Sequence, residues 1–306
     1  MAYTDREDLN YLGQLVLVGA NQTPLLSMLG GMGSGKTSKS FEFPLAQPYS
    51  LTAASQPAIS EADSVSSNTA TTVTRGQEFN TVQIFQETVE VSHAKQSTTG
   101  EFAGIQVLGD QPVMSEFDFQ KNTQLEQIGV DLEFTMINGV YQSAATAATA
   151  AKTRGLITAI ATNTIAAAGA SLTKALMDQL FRTMATNGAK WKNVVILCNA
   201  FQKQALSDIY GFAPTDRMIG GVNVEEIIMD FGRVAIAFDP QVATDDVIAV
   251  ELDVCSLVFV PVANQIMTFE MLAKTAASEK GQWYAQIGLD YGSEKQHGSL
   301  TGLSTS

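Results

Sequence analysis

The residues with the strongest chemical signature are Gly30-Gly31-Met32-Gly33-Ser34-Gly35-Lys36-Thr37, a full match to the phosphate-binding pattern G-x-x-x-x-G-K-[ST]. In that chemistry the loop amides and a helix N-terminus face the phosphates, the lysine reaches the terminal phosphates and the hydroxyl holds magnesium. The pattern works only when a buried strand leads in and a helix leads out. Here the lead-in is only Leu25 to Leu29. The lead-out, Ser38-Lys39-Ser40-Phe41-Glu42-Phe43-Pro44, alternates like a strand and is closed by a proline. Asp239, after the apolar run Val234 to Phe238, is a candidate for the second carboxylate of such a site, but Pro240 follows it and strands ending in Asp are common. The other reading of Gly30 to Thr37 is a glycine-rich hinge that carries two lysines, Lys36 and Lys39.

Other catalytic parts are scarce. The chain has two histidines, His93 and His297, far apart in sequence, and two cysteines, Cys198 and Cys255. Each cysteine lies in an apolar strand-like run, the setting of a buried, reduced core thiol. There is no disulfide framework and no zinc spacing. No Ser/His/Asp or Cys/His set carries a local signature, and Asp245-Asp246 has no metal-loop spacing and reads as a solvated turn. The expected lists of catalytic, cofactor-binding and metal-ligating residues are therefore empty, and no cofactor is expected.

Bulk properties narrow the class. A chain of 306 residues can bury a sizeable core and suggests about two domains. Charged residues make up only 16%, and Ser, Thr, Ala, Gln and Asn take their place on the surface. That surface suits burial against other subunits. The net charge of −13 opposes tight nucleic-acid binding, which needs a basic footprint. It would suit a wall beside a polyanion. No signal peptide is visible in the first ten residues. The most apolar window, Val247 to Met267, is broken by Glu251 and Asp253, so no membrane partner is expected.

The elements that must position these residues are organised around Asn80 to Gly139. Thr81 to Val91 reads as a strand whose alternation slips once, with a bulge or bend expected near Phe85. After Asp110 and Pro112 a helix runs to the stop signal Asn138-Gly139. Phe117, Leu125, Ile128, Leu132 and Met136 share one face, with Lys121 filling the gap in the series. Roughly 27 residues would span about 40 Å. The polar positions Asp118, Gln124, Glu126 and Glu133 predict a side that faces solvent or a partner.

Before this helix, Phe41 to Ala53 and Thr71 to Val91 read as the two legs of an arm. Its tip, Thr52 to Thr74, has ten Ser or Thr among 23 residues and no Lys or Arg. An isolated two-stranded arm is marginal in water, so it needs a surface to lie on. His93 to Gly100 reads as a turn. After Gly139, Ala- and Thr-rich stretches mark a crossing to residues 171–255, which read as a compact α/β unit. In that unit Ser171 caps a helix bearing Leu172, Leu176, Leu180 and Met184, and a buried strand follows at Val194 to Cys198. Met267 to Met271 and Gln282 to Leu289 read as return strands, and the polar tail from Gly292 as loose.

This order of parts resembles the major capsid proteins of tailed bacteriophages, and several stretches resemble the SU-ten-like major head proteins in particular. They are Thr23-Pro24-Leu25-Leu26, Ser40-Phe41-Glu42-Phe43, Glu61-Ala62-Asp63, Asn80 to Gln86 with Val91-Ser92, Arg154-Gly155-Leu156 with Thr162-Asn163, and Leu172-Thr173. The resemblance covers roughly residues 20–290. It implies an α+β fold of the Hong Kong phage type. The N-terminal arm would be residues 1–40, the extended β-hairpin loop 41–79, the peripheral domain with its spine helix 80–140 and 256–306, and the axial domain 141–255.

The function implied is that of a non-enzymatic shell subunit. Copies of itself, as hexamers and pentamers, would close an icosahedral head around double-stranded DNA, which it would meet only by non-specific proximity. Portal, scaffold or decoration proteins are further candidate partners, and the expected location is the virion, after synthesis in the host bacterial cytoplasm. The same resemblance counts against a nucleotide site at Lys36, because the glycine-rich stretch varies in that family. The competing readings are a P-loop nucleotide-binding protein using Gly30 to Thr37, and a soluble interaction or adhesive module with a Thr-rich arm.

Overall fold

Helix signals and β-branched runs alternate along the chain, and the elements follow them. The computed structural model describes residues 22–46, 49, 51–66, 72–99, 116–211, 216–219, 222–274 and 276–305. The first part holds α1 (Pro24–Met28), β1 (Lys36–Thr37), β2 (Glu42–Pro44), α2 (Glu61–Ser64), β3 (Phe79–Thr81), β4 (Gln83–Ser92), α3 (His93–Thr99) and the spine helix α4 (Glu116–Asn138). Next come α5 (Leu156–Ala159), β5 (Thr164–Ala166), α6 (Lys174–Thr186), β6 (Val194–Cys198), α7 (Ala200–Tyr210), β7 (Asp216–Ile219), β8 (Val222–Met229), β9 (Gly232–Phe238) and β10 (Val247–Glu251). The chain closes with β11 (Ser256–Phe259), β12 (Met267–Met271), β13 (Ser278–Asp290) and β14 (Gly298–Thr301).

Two sheets carry the body. In the five-stranded sheet the long strand β13 pairs antiparallel with β4 on one side and with β12 and then β11 on the other, and β1 adds parallel to β11. The seven-stranded sheet has the order β5-β14-β10-β6-β9-β8-β7. Its central strand β6 is buried throughout because both faces are covered. Val195 and Leu197 join the core that contains α1, the spine helix and the five-stranded sheet. Val194, Ile196 and Cys198 face the other way, into the cluster under α6.

The spine helix buries Ile128, Leu132 and Met136, as its apolar spacing predicts. The proposed start at Asp110 and Pro112 lies outside the described residues. Lys121 interrupts the apolar stripe for a physical reason. Its ammonium sits 4.4 Å from the Phe269 ring centroid and 5.5 Å from that of Trp283, and its carbonyl accepts the Trp283 indole N–H at 2.9 Å. One polar position departs from the expectation. Glu133 is fully buried instead of facing solvent or a neighbour.

The slip in the strand is a break between β3 and β4. It falls at Val82, which is fully buried and donates its N–H to the Phe41 carbonyl, rather than near Phe85. Beyond the break Phe85, Val89 and Val91 point inward and Ile84 outward. His93–Thr99 forms α3 rather than a turn. The cap of α6 is Thr173, whose side chain accepts the Leu176 N–H, two residues after the expected Ser171. The tail is not loose. Its strand β14 pairs with β10 and β5 in the seven-stranded sheet, and Leu300 and Leu303 are buried. A short apolar pair within polar residues is too little pattern to reveal such a strand. The last strand of the chain thus lies in the sheet built mainly from residues 141–255, although its sequence position suggested the peripheral domain.

The spine helix ends where two glycines meet. Gly155 donates its N–H to the Gly139 carbonyl at 2.9 Å. A Cβ on Gly155 would lie 2.5 Å from the Gly139 nitrogen and 2.7 Å from the Thr135 carbonyl oxygen. That close approach lets the chain leave the helix and return beside its last turn.

Candidate functional site

The glycine-rich loop has the wrong elements around it for phosphate. Helix α1 leads in and strand β1 leads out, the reverse of the strand–loop–helix order that aims amides and a helix dipole at an anion. Gly35 is needed for packing. A Cβ there would meet the Leu257 carbonyl oxygen at 2.4 Å and the Phe259 ring at 2.7 Å. Lys36 is committed to Asp290 at 2.6 Å, not to Asp239. The loop is therefore a hinge that lays β1 along β11.

Asp239 has another partner. Its carboxyl is fully buried at the end of β9 and is electrostatically coupled to the carboxyl of Glu133 on the spine helix. The two Glu133 oxygens also accept the N–H groups of Leu25 and Leu26, at 2.6 and 2.8 Å. One oxygen of Asp239 accepts the Gln241 N–H at 2.9 Å, and the other is buried with no hydrogen-bond partner among the described residues. Burial, and then the nearby Asp239, push Glu133 up to about 9, and burial pushes Asp239 up to about 6. Two buried carboxyls that act on one another titrate together, and the two values belong to the pair. Sequence reasoning separated these residues, because they are 106 positions apart and nothing local marks either as buried.

The structure also brings Cys255 to His297, with Sγ 4.0 Å from Nε2. This is not a nucleophile and base. His297 donates Nε2–H to the Tyr291 carbonyl at 2.7 Å and takes the Glu251 N–H on Nδ1. Burial lowers its pKa to about 4, and burial drives the Cys255 thiol far above its ordinary range. A sealed thiol with no accessible thiolate is inert. Cys198 is buried with its Sγ 3.9 Å from the Ala237 carbonyl, and His93 is exposed beside Gln96. Asp245 and Asp246 are half-buried rather than solvated, and they receive the N–H groups of Leu303 and Gly302. Among the described residues no group of three or more His, Cys, Asp or Glu side chains is placed to hold a metal, and no helix is long and apolar enough to cross a membrane.

What remains is surface. The two legs of the arm pair with each other at its root, with Glu42 to Pro44 opposite Phe79 to Thr81, and further out at an isolated bridge between Tyr49 and Arg75. Beyond that root, residues 51–66 and 72–77 are exposed throughout. Leu51 is 76% exposed and Val65 86%, with Tyr49, Ile59 and Val73 also largely bare. The one-turn helix α2 at the tip is closed by a capping box between Ser60 and Asp63.

The root itself is stapled by Asn80, which is fully buried. Its amide donates to the Leu289 and Arg154 carbonyls at 2.7 and 3.2 Å, and its oxygen accepts the Arg154 and Thr81 N–H groups at 2.8 and 2.9 Å. Beside it, between β4 and the spine helix, a groove of about 320 Å³ is flanked by the exposed Ile84 and Phe134.

The described residues thus show a body that carries an exposed arm, and comparison with known families identifies its kind. The family model described as SU10 major capsid protein matches residues 2–304. The chain belongs to that family. It is a structural subunit of a phage capsid. No curated protein sequence matches this capsid protein. Solved structures match it at low identity along nearly the whole chain, and they show the fold. The cyanophage A-1(L) capsid asymmetric unit aligns with a TM-score of 0.60 at 11% identity, over 95% of this chain and 96% of that one. The holo-SrpI encapsulin complex from Synechococcus elongatus PCC 7942 aligns at 0.57 and 10%, over 96% and 94%. Mycobacterium phage Cain aligns at 0.57 and 10%, over 100% and 95%. The capsid protein has the HK97-like fold.

Proposed function

We propose that this capsid protein assembles as hexamers and pentamers into a closed icosahedral shell around double-stranded DNA, and that it carries no enzymatic activity. The observation that carries the reading is the arm. Apolar side chains from Leu51 to Val73 are bare on the single chain, and an arm held only at its root gains by lying on another subunit. The groove between the spine helix and β4 is lined mainly by polar side chains and carries two exposed apolar ones, Ile84 and Phe134, for the arm to cover. We assign the arm to such a groove on a neighbouring copy. The division into N-terminal arm, extended loop, peripheral domain and axial domain belongs to this proposal, with β14 moved to the axial side because it pairs with β10 and β5.

The charge of −13 fits a wall that meets packaged DNA without binding it. Synthesis in the host bacterial cytoplasm, and any dependence on portal, scaffold or decoration proteins, belong to the same proposal. The test is deletion of Thr52 to Thr74 in the expressed chain. Expected are subunits with unchanged far-ultraviolet circular dichroism and no closed shells by electron microscopy. Shells that close at the wild-type yield would refute the assignment of the arm.

A further inference from the structure

The arm carries a single basic side chain. From Lys39 to Lys95 the chain has no Lys or Arg between them except Arg75. Arg75 is exposed at the outermost pairing of the two legs, opposite Tyr49, and makes no ion pair among the described residues. Val73, half exposed, lies two positions before it. In an extended chain both side chains leave the same face, about 7 Å apart.

The groove between the spine helix and β4 offers the complement. Five consecutive residues of β4, 83–87, line it, so it runs along the strand. Its exposed apolar pair is Ile84 and Phe134, and its carboxylates are Glu87 and Asp131, both half-buried. Asp131 accepts the Gln127 amide at 2.8 Å, and neither carboxylate meets a Lys or Arg among the described residues. We propose that Arg75 of one copy is clamped between Glu87 and Asp131 of the next, with Val73 laid against Ile84 and Phe134, and that this pairing sets the register of the arm in the shell. The clamp rests on the assignment of the arm to a neighbouring copy.

The chemistry favours this groove over the other one on the same strand. That second groove, of about 570 Å³, has Glu90 and Lys95 on its wall. Glu90 already accepts the Ser278 hydroxyl at 2.8 Å and lies 3.5 Å from Lys280, and Lys95 is paired with Glu116 at 2.5 Å. It has no charge left to offer. Glu87 and Asp131 do, and a planar guanidinium with five donors reaches two carboxylates at once. A slipped arm would bring Glu61 or Asp63 of its tip against the same carboxylates, and like charges reject that register.

The test is shell formation by the expressed full-length chain, scored by electron microscopy, with far-ultraviolet circular dichroism to verify that each variant folds. Arg75→Glu is expected to lower the yield of closed shells at least about tenfold, and so is Glu87→Lys with Asp131→Lys. The triple variant restores the pairing with its signs exchanged and is expected to recover at least about half the wild-type yield. Where the two lysines unfold the chain, neutral variants take their place: Arg75→Gln, Glu87→Gln with Asp131→Asn, and all three together. The combination is expected to lose no more than the larger of its parts, because one pairing can be lost only once. Wild-type yields from Arg75→Glu, when deletion of Thr52 to Thr74 abolishes shells, would overturn the clamp and leave the arm on its neighbour. A folded triple variant without recovery, or neutral losses that add, would overturn the clamp too. Shells that close without residues 52–74 would overturn both.

Discussion

Replacing Asn80 by alanine removes four hydrogen bonds at the root of the arm. Two of them, to the Leu289 carbonyl and from the Thr81 N–H, are buried, and the two to Arg154 are partly so. A buried polar group left without a partner costs about 1–3 kcal/mol, and a partly exposed one about 0.5–1.5 kcal/mol once water can reach it. The sum is about 3–9 kcal/mol, at the low end if a water fills the vacated space. That is a large share of the roughly 5–15 kcal/mol that holds an ordinary domain.

The assay is equilibrium unfolding of the unassembled chain in urea, followed by the fluorescence of Trp191 and Trp283. Asn80→Asp should be at least as damaging, because it keeps the acceptor but sets an oxygen against two carbonyls. Gln86→Ala, which loses one exposed bond to Gln282, should stay within about 0.5 kcal/mol of wild type. An Asn80→Ala chain no less stable than Gln86→Ala would refute the role of Asn80 as the staple of the root.

Four further outcomes are expected. Gly155→Ala should destabilise by about 2–4 kcal/mol, because its Cβ would strike backbone at 2.5 to 2.8 Å and strain the bond to Gly139. In contrast Gly129→Ala, within the spine helix with open space at the Cβ, should stabilise by about 0.5–1 kcal/mol. Lys36→Ala should cost about 1 kcal/mol or less, since the lysine is mostly exposed, and millimolar ATP with magnesium should leave the melting temperature of wild type and variant unmoved. His297 is held neutral, with its pKa lowered from 6.5 to about 4, so the stability it contributes is full above 6.5 and is lost as pH falls toward 4. That amounts to about 3 kcal/mol, and His297→Gln should lose less stability than wild type between pH 7 and pH 4.

Much of the fold was legible because it rests on local signals. The spine helix, the arm and the strand β6 follow from periodicity and stop signals. The resemblance rested on short stretches whose residues prove to be staples. Asn80 is one, and Asn163 is another, fully buried and bonded to the Lys295 and His297 carbonyls and to Asn187. Gly155 allows a backbone crossing, and Leu25 and Leu26 dock on Glu133.

What was not legible depends on distant partners. Glu133 reads as a surface carboxylate until α1 and Asp239 are placed beside it. Lys121 breaks an apolar stripe until Phe269 and Trp283 supply ring faces. The tail looks loose because β14 is short and is stabilised by strands β10 and β5, contributed from more than 45 and more than 130 residues away.

The central claim is that this chain builds a shell. Electron microscopy of the purified, full-length chain tests it most directly. The account predicts closed particles of fixed curvature, or hexameric and pentameric capsomers that close on concentration. A monodisperse monomer at high concentration across a range of salt would contradict it.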